Sequence, residues 1–231
     1  MHTKPFESFR KDVEFMWRMS TSSWAALMLT HGKLDPEALA MVTLQMYHYV
    51  KHTVAVCEYA LARLPPGKEH DDFREVLRYF AEGEDGHDRL ALRDLDRLGY
   101  DAAACAETLP LPTTLNLHGA NRLAIDTYGP YYLLGETYAT ETVGAQISAG
   151  IFDAYAGNPA TARGAEFYHV HGEADVQHAA RAEECLRRCL PAHGPAITLG
   201  CLTAWRNLMG LGMEIQHYKL YPEPFQLVRR R

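Results

Sequence analysis

The stretch His171-Gly172-Glu173-Ala174-Asp175-Val176-Gln177-His178 places two imidazoles and a carboxylate at i, i+4 and i+7. At about 100° per residue, these positions form a narrow stripe on one face of a helix, about two turns from end to end. Imidazole nitrogens with a carboxylate oxygen suit a first-row transition metal such as iron. Glu84 and His87 add a Glu-x-x-His pair, which on one helix face is the half-site used by di-iron carboxylate bundles. A third contribution comes from the segment Gly135 to Gly144, where Glu136 and Glu141 interrupt a run of apolar and small residues. A charge in such a helix is costly to bury unless it is paired or metal-bound. The two acids stand five residues and about 140° apart, so they do not both face one centre. Glu141 is assigned to the centre, with Glu136 as the alternative. Glu84, His87, Glu141, His171, Asp175 and His178 then give three carboxylates and three imidazoles from three helices. That set offsets most of the charge of two Fe(II) ions and leaves positions open for O2 and a small-molecule substrate.

Such a centre needs helices to hold it, and the turn signals supply them. A first helix covers about residues 5–20. Asp35-Pro36-Glu37 opens a second, with Asp as cap and Pro in the first turn, and Pro65-Pro66-Gly67 stops it after Leu64. A third runs from Asp71 to Leu98 and ends at Gly99, with Gly83 and Gly86 inside it where a close approach would account for them. Residues 100–113 read as a loop. Helices over 114–127, from Gly129-Pro130 to Ala156, from Thr161 to Leu190, and from Pro195 to His217 complete the chain, with Gly157-Asn158-Pro159 and Pro191 as breaks. Seven helices, no strand and no 20–50-residue repeat predict an all-α fold, one seven-helix bundle spanning 1–231 as a single domain, with function built from inward side chains.

Bulk composition narrows the partners. A formal net charge of -6 argues against nucleic acid, and no apolar run approaches the roughly 20 residues of a membrane span. The N-terminus lacks the apolar core of a signal peptide. Five scattered cysteines, Cys57, Cys105, Cys185, Cys189 and Cys201, read as reduced thiols of a cytoplasmic protein. Cys185 and Cys189 lie one turn apart but lack partner ligands for zinc. A homodimer is left open.

With these motifs in place, the chain resembles the haem-oxygenase-like di-iron oxidases, which share a seven-helix fold with haem oxygenase, the thiaminase-like proteins and the PQQ-synthesis oxidase. The resemblance covers nearly the whole chain: Gln45-Met46-Tyr47-His48-Tyr49-Val50, Glu84-Asp85-Gly86-His87 followed by Leu92 to Gly99, Leu134-Gly135 with Tyr138 and Glu141, and His171-x-x-x-Asp175-x-x-His178. It implies two Fe(II) ions on the six residues above, with Glu136 still able to replace Glu141. It also implies O2-dependent oxidation of a small organic acid: desaturation, C–C cleavage, cyclisation or N-oxygenation. A ligand helix that orders when metal arrives belongs to the same implication.

Two other cofactor states of this fold stand as alternatives with less in their favour. The first helix, Pro5 to Trp24, holds no histidine for haem. A metal-free thiaminase-like hydrolase would need a cysteine nucleophile, for which Cys57, Cys105 and Cys201 offer no recognisable setting. A helical cofactor- or partner-binding protein is the remaining alternative. Tyr47, Tyr49, Tyr132 and Tyr138 favour an amino acid or derivative over a fatty acid as substrate. Tyr47, Lys51, His52 and Arg122 are candidate substrate contacts.

Overall fold

Asp35 accepts a hydrogen bond from the Ala38 N–H at 2.7 Å and Pro36 sets the first turn, so helix α2 (Pro36–Val50) begins where the sequence places it. The computed structural model describes residues 5–21, 31–156, 158–159 and 161–230. Trp24 and Gly157, both named in the sequence reading, lie outside them. Before α2 stands α1 (Phe6–Thr21). After it come α3 (Thr53–Arg63), α4 (Asp71–Gly83), α5 (His87–Arg97), α6 (Ala102–Ala106), α7 (Pro112–Tyr128), α8 (Tyr131–Ala156) and α9 (Glu166–Gln216). There is no strand among the described residues, and the fold is an all-α bundle.

The helix expected over Asp35–Leu64 is interrupted at Lys51 and His52. Val50, Thr53 and Val54 flank the break, and β-branched side chains are among the weaker helix formers. The helix expected over Asp71–Leu98 is likewise two. Gly86 takes φ 86°, in the left-handed region that favours glycine, and Glu84 caps α4 with its N–H on the Phe80 carbonyl at 2.9 Å. Glu84 and His87 therefore straddle a corner instead of sharing one helix face. The stretch expected as a loop contains α6, started by Asp101, which accepts from Ala104 N–H at 3.0 Å.

The two helices expected on either side of Pro191 are the arms of α9. A straight helix of 51 residues would be about 77 Å long. Yet Phe167, near the start of α9, packs in the same core cluster as Leu211 and Ile215, near its end. The helix must fold back between these points. Pro191 and Pro195, both exposed, lack the N–H groups that would bond the carbonyls of Arg187 and Pro191, so the ladder is weakest there. The bend sets α8 against both arms. Glu183 on the first arm bonds Tyr138, and Ile197 on the second touches Gly135.

Buried apolar side chains form two clusters. One joins α1, α3 and α4 to the first part of α8 and the middle of α9, with Phe9, Phe73, Phe80, Leu134, Leu186 and Ile197 among its members. The other joins α2 and α5 to the far part of α8 and both ends of α9. Residues 140–150 of α8, 171–178 of α9 and the α4–α5 corner fall between them. Fully buried Asp94 on α5 reaches across and accepts from the Phe167 N–H at 2.8 Å, satisfying a free donor in the first turn of α9 from another helix.

The closest helix approach sets a stability test. A Cβ added at Gly135 would lie 1.9 Å from the Ile197 carbonyl oxygen, whereas one at exposed Gly119 on α7 meets nothing within 4 Å. We expect Gly135→Ala to cost about 3 kcal/mol or more in urea unfolding, since backbone has to move. Gly119→Ala is expected to gain up to about 1 kcal/mol from helix preference alone. Equal effects would show that the α8–α9 contact is slack.

Candidate metal centre

Four helices bring the six candidate residues together. Glu84 comes from the end of α4, His87 from the start of α5, Glu141 from α8, and His171, Asp175 and His178 from the first arm of α9. Glu84 sits at the middle. Its Oε2 is 3.2 Å from His87 Nδ1 and 3.9 Å from His171 Nε2, while Oε1 is 3.3 Å from His178 Nδ1. His178 Nδ1 is also 3.2 Å from Glu141 Oε2. Two groups result in which one ligand atom from each residue lies within 4.8 Å of the others: Glu84, His87, His171, and Glu84, Glu141, His178. Glu84 belongs to both. His169, exposed and stacked on Phe152, stands apart from the cluster.

Local packing explains how the side chains reach these places. His171 Nδ1 donates to the Phe167 carbonyl at 2.8 Å, which fixes that nitrogen as the protonated one and leaves Nε2 facing Glu84. The Phe167 ring stacks on His171 at 3.9 Å, and Tyr79 and Phe80 meet His178 edge-on at 5.4 and 5.1 Å. A Cβ at Gly83 would lie 3.1 Å from His178 Nε2, and one at Gly144 would lie 2.4 Å from Asp175 Oδ2. Both glycines make room for ligand-bearing side chains.

The polypeptide leaves part of the cluster unsatisfied. Glu84 Oε1, His171 Nε2 and Asp175 Oδ1 are buried without a hydrogen-bond partner; the approach of His178 to Glu84 Oε1 has the distance of an ion pair but not the geometry of a hydrogen bond. Buried polar atoms are rarely left so, and three in one place point their lone pairs at something the chain does not provide. A nitrogen and oxygen donor set of this kind fits iron.

Charge repulsion points the same way. Burial opposes the charge on Glu84, but the imidazoles of His171 and His87 outweigh it and hold the carboxyl down at about 2. Asp175 is pushed up to about 9, by burial first and then by the charge of Glu141. Glu141 is raised as well, by burial and by Glu84, while a hydrogen bond with Asp175 works against the rise. Without a cation, Asp175 and Glu141 hold a proton between them at neutral pH.

A cavity of about 200 Å³ adjoins the cluster, small beside the roughly 300–1,000 Å³ of common ligand pockets. Glu84, Glu141, His171 and Asp175 form one part of its wall, and Val42, Val56, Leu133, Val143 and Ile151 are among its apolar residues. The second arm of α9 contributes Leu208, Leu211 and Ile215. Of the candidate substrate contacts, His52 lines it, whereas Tyr47, Lys51 and Arg122 do not. Lys51 Nζ turns to His48 Nδ1 at 3.1 Å and over the Tyr47 ring, and Arg122 lies over Tyr59. Of the four tyrosines offered as polar lining, only Tyr49 faces the cavity. Glu136 does not join the cluster: it accepts from the Tyr49 hydroxyl at 3.0 Å and lines the cavity elsewhere. The central position of Glu84 was not readable in the sequence, since it depends on the corner at Gly86. Gly144, three residues after Glu141, was a visible signal for the close approach of Asp175.

Known proteins agree with this architecture. The sequence pattern of a family described as "Iron-containing redox enzyme" matches residues 40–208. No functionally curated protein matches the chain. Among solved structures, a domain of unknown function with a heme oxygenase-like fold from Shewanella denitrificans is similar with TM-score 0.71 at 20% identity, covering 96% of this chain and 97% of that one. A TenA homolog from Pseudomonas syringae pv. tomato gives 0.70 at 14%, covering 94% and 98%. A TenA family transcription regulator from a Silicibacter species gives 0.70 at 16%, covering 96% and 98%. At these identities the likeness establishes a heme oxygenase-like fold.

The raised carboxyls predict proton release on metal binding. At pH 7, loading with Fe(II) or Zn(II) should expel about one proton or more per chain, because a ligating carboxylate must be ionised. Calorimetry in two buffers of different ionisation heat measures it. In metal-free protein the sign is opposite to that of an ordinary ion pair. The unfolded Asp175 has released its proton near 3.8 while the folded one keeps it to about 9, so its contribution to stability falls as pH rises through that window. Metal uptake with no proton released would contradict the shared proton.

Proposed function

The chain belongs to the iron-containing redox enzyme family, and from that premise we propose that it is a non-haem di-iron enzyme that uses O2 to oxidise a small organic substrate. One iron is held by Glu84, His87 and His171 and the second by Glu84, Glu141 and His178 together with Asp175. The observation that carries this reading is the pair of ligand groups that share Glu84. Iron bound there supplies electron transfer to O2 and the oxidising power for a C–H, C–C or N–H bond of the substrate. Everything else falls to the protein. Phe80 and Phe167 wall the cluster with apolar surface and exclude water from it. The Phe167 carbonyl holds His171 in one tautomer. The small cavity suits a small molecule, with an amino acid or derivative as the first class to test.

A cysteine-dependent hydrolase finds less support. Cys57 lines the cavity, but burial first, then Glu136, Glu84 and Glu141, push its thiol up, the wrong direction for a nucleophile. Cys201 is buried and donates to the Gly135 carbonyl at 3.0 Å, and Cys105 is buried beside Val228.

Anaerobic loading with Fe(II) tests the assignment. We expect close to two irons per chain, an exchange-coupled pair by Mössbauer spectroscopy after oxidation, and O2 uptake accelerated by at least one small acid or amine. Glu141→Ala should lose the pair, while Glu136→Ala keeps it. Saturation at one iron in the wild-type protein would overturn the di-iron reading, and the opposite behaviour of the two variants would move the ligand to Glu136.

A further inference from the structure

The cavity has a second polar region that the metal cluster does not use. Glu136 is only 2% exposed, in the apolar first half of α8. Tyr49 from α2 donates to its Oε1 at 3.0 Å, and Asn121 on α7 also favours the charged carboxylate. The other end of the Asn121 amide, Oδ1, is buried with no partner, and so is Nε2 of His118, three residues earlier on α7. His118 packs against His52 with ring centroids 4.2 Å apart and the rings tilted. All five side chains line the cavity, and no lysine or arginine lines it among the described residues.

A buried carboxylate with neutral hydrogen-bond donors as its neighbours is expensive, and each orphaned acceptor adds to the cost. Burial pushes Glu136 up to about 7, with Tyr49 and Asn121 only partly offsetting it. A bound carboxylate would worsen this repulsion. An ammonium group would relieve it, since it carries a positive charge and three donors.

We propose that this region binds the protonated primary amine of the substrate, with the Glu136 carboxylate as counter-charge and Asn121 Oδ1 and His118 Nε2 as further acceptors. The assignment rests on the reading that oxidation takes place at the Glu84 cluster, and it specifies the substrate further. Glu136 and Glu141 are five residues apart on α8, about 7.5 Å along its axis. The amine is then held several bonds away from the oxidised position, and the largely apolar lining of the cavity favours a hydrocarbon spacer. An amine-bearing aliphatic compound fits this arrangement, and a simple fatty acid does not.

The test compares n-hexylamine, hexan-1-ol and hexanoate by calorimetric titration, with the protein free of metal and again after loading with redox-inert Zn(II). Hexylamine should bind about tenfold or more tightly than hexanol, and hexanoate more weakly than either in metal-free protein. Glu136→Gln should bring the amine down to the level of the alcohol, while Tyr49→Phe, which keeps the carboxylate, should retain the preference. Equal affinity of amine and alcohol in the wild-type protein, tightest binding of hexanoate to metal-free protein, or an amine preference that survives Glu136→Gln would each overturn the proposal. If Glu136→Gln does not fold, as judged by circular dichroism, the wild-type series decides alone. Because the metal-free arm needs no iron, its failure leaves the di-iron reading intact, and a failure to load two irons leaves this result standing.

Discussion

Three carboxylates and three imidazoles packed close together, four of them buried and two partly so, form the constraint on which this structure turns. Coulomb repulsion among Glu84, Glu141 and Asp175 is strong in such a medium. The chain relieves it partly with histidines, which hold Glu84 ionised, and partly by keeping a proton on the Glu141–Asp175 pair. The remaining lone pairs are left unsatisfied. A cluster of this kind destabilises the fold unless cations complete it, so the surrounding architecture has to hold the ligands against their own repulsion.

The scaffold does so by placing the cluster between two apolar cores instead of inside either. One core clamps the first part of α8 against the middle of α9 and the other clamps the far part of α8 against both ends of α9, and the polar stretch between them is held from both sides. Glycines set the spacing where helices meet. Gly135 and Gly200 let α8 and the second arm of α9 touch backbone to backbone, and Gly83 and Gly144 open room for His178 and Asp175. Asp94 adds a polar tie at the start of the ligand arm, since its carboxylate takes up the Phe167 N–H that the helix itself leaves free. The Phe167 carbonyl in turn orients His171. A short chain of contacts thus leads from a buried acid on α5 to a ligand nitrogen.

Much of this was legible in the residues. The stripe His171, Asp175, His178 needs only helical periodicity, and the cap at Asp35 and the Gly129-Pro130 start of α8 are local signals that tertiary packing did not override. What stayed hidden depended on bends. Glu84 and His87 read as neighbours on one face because nothing local says that Gly86 takes positive φ instead of serving as an ordinary helical glycine. Pro191 was read as a helix end, and the structure makes it part of a bend within one hydrogen-bonded run. The interruption at Lys51–His52 was missed because the flanking residues differ only weakly in helix preference. The cavity contacts could not be ranked at all. Whether Tyr47 or Tyr49 faces inward is a question of about 200° of helix rotation, set by how α2 packs on α8 and not by composition.

The fold-back of α9 divides labour within a single helix. Its first arm carries three of the candidate ligands and is pinned by the geometry of the cluster, so few substitutions there are neutral. Its second arm supplies Leu208, Leu211 and Ile215 to the cavity wall and carries none of the six candidate ligands. The segment Pro191-Ala192-His193-Gly194-Pro195 joins them, with Pro191, Ala192 and Pro195 at the surface. Selection can therefore reshape the chamber, lengthening or narrowing it with aliphatic exchanges along the second arm, while the three candidate ligands on the first stay in place. A fold wired in this way is suited to diversify its substrates without having to rediscover its reactivity.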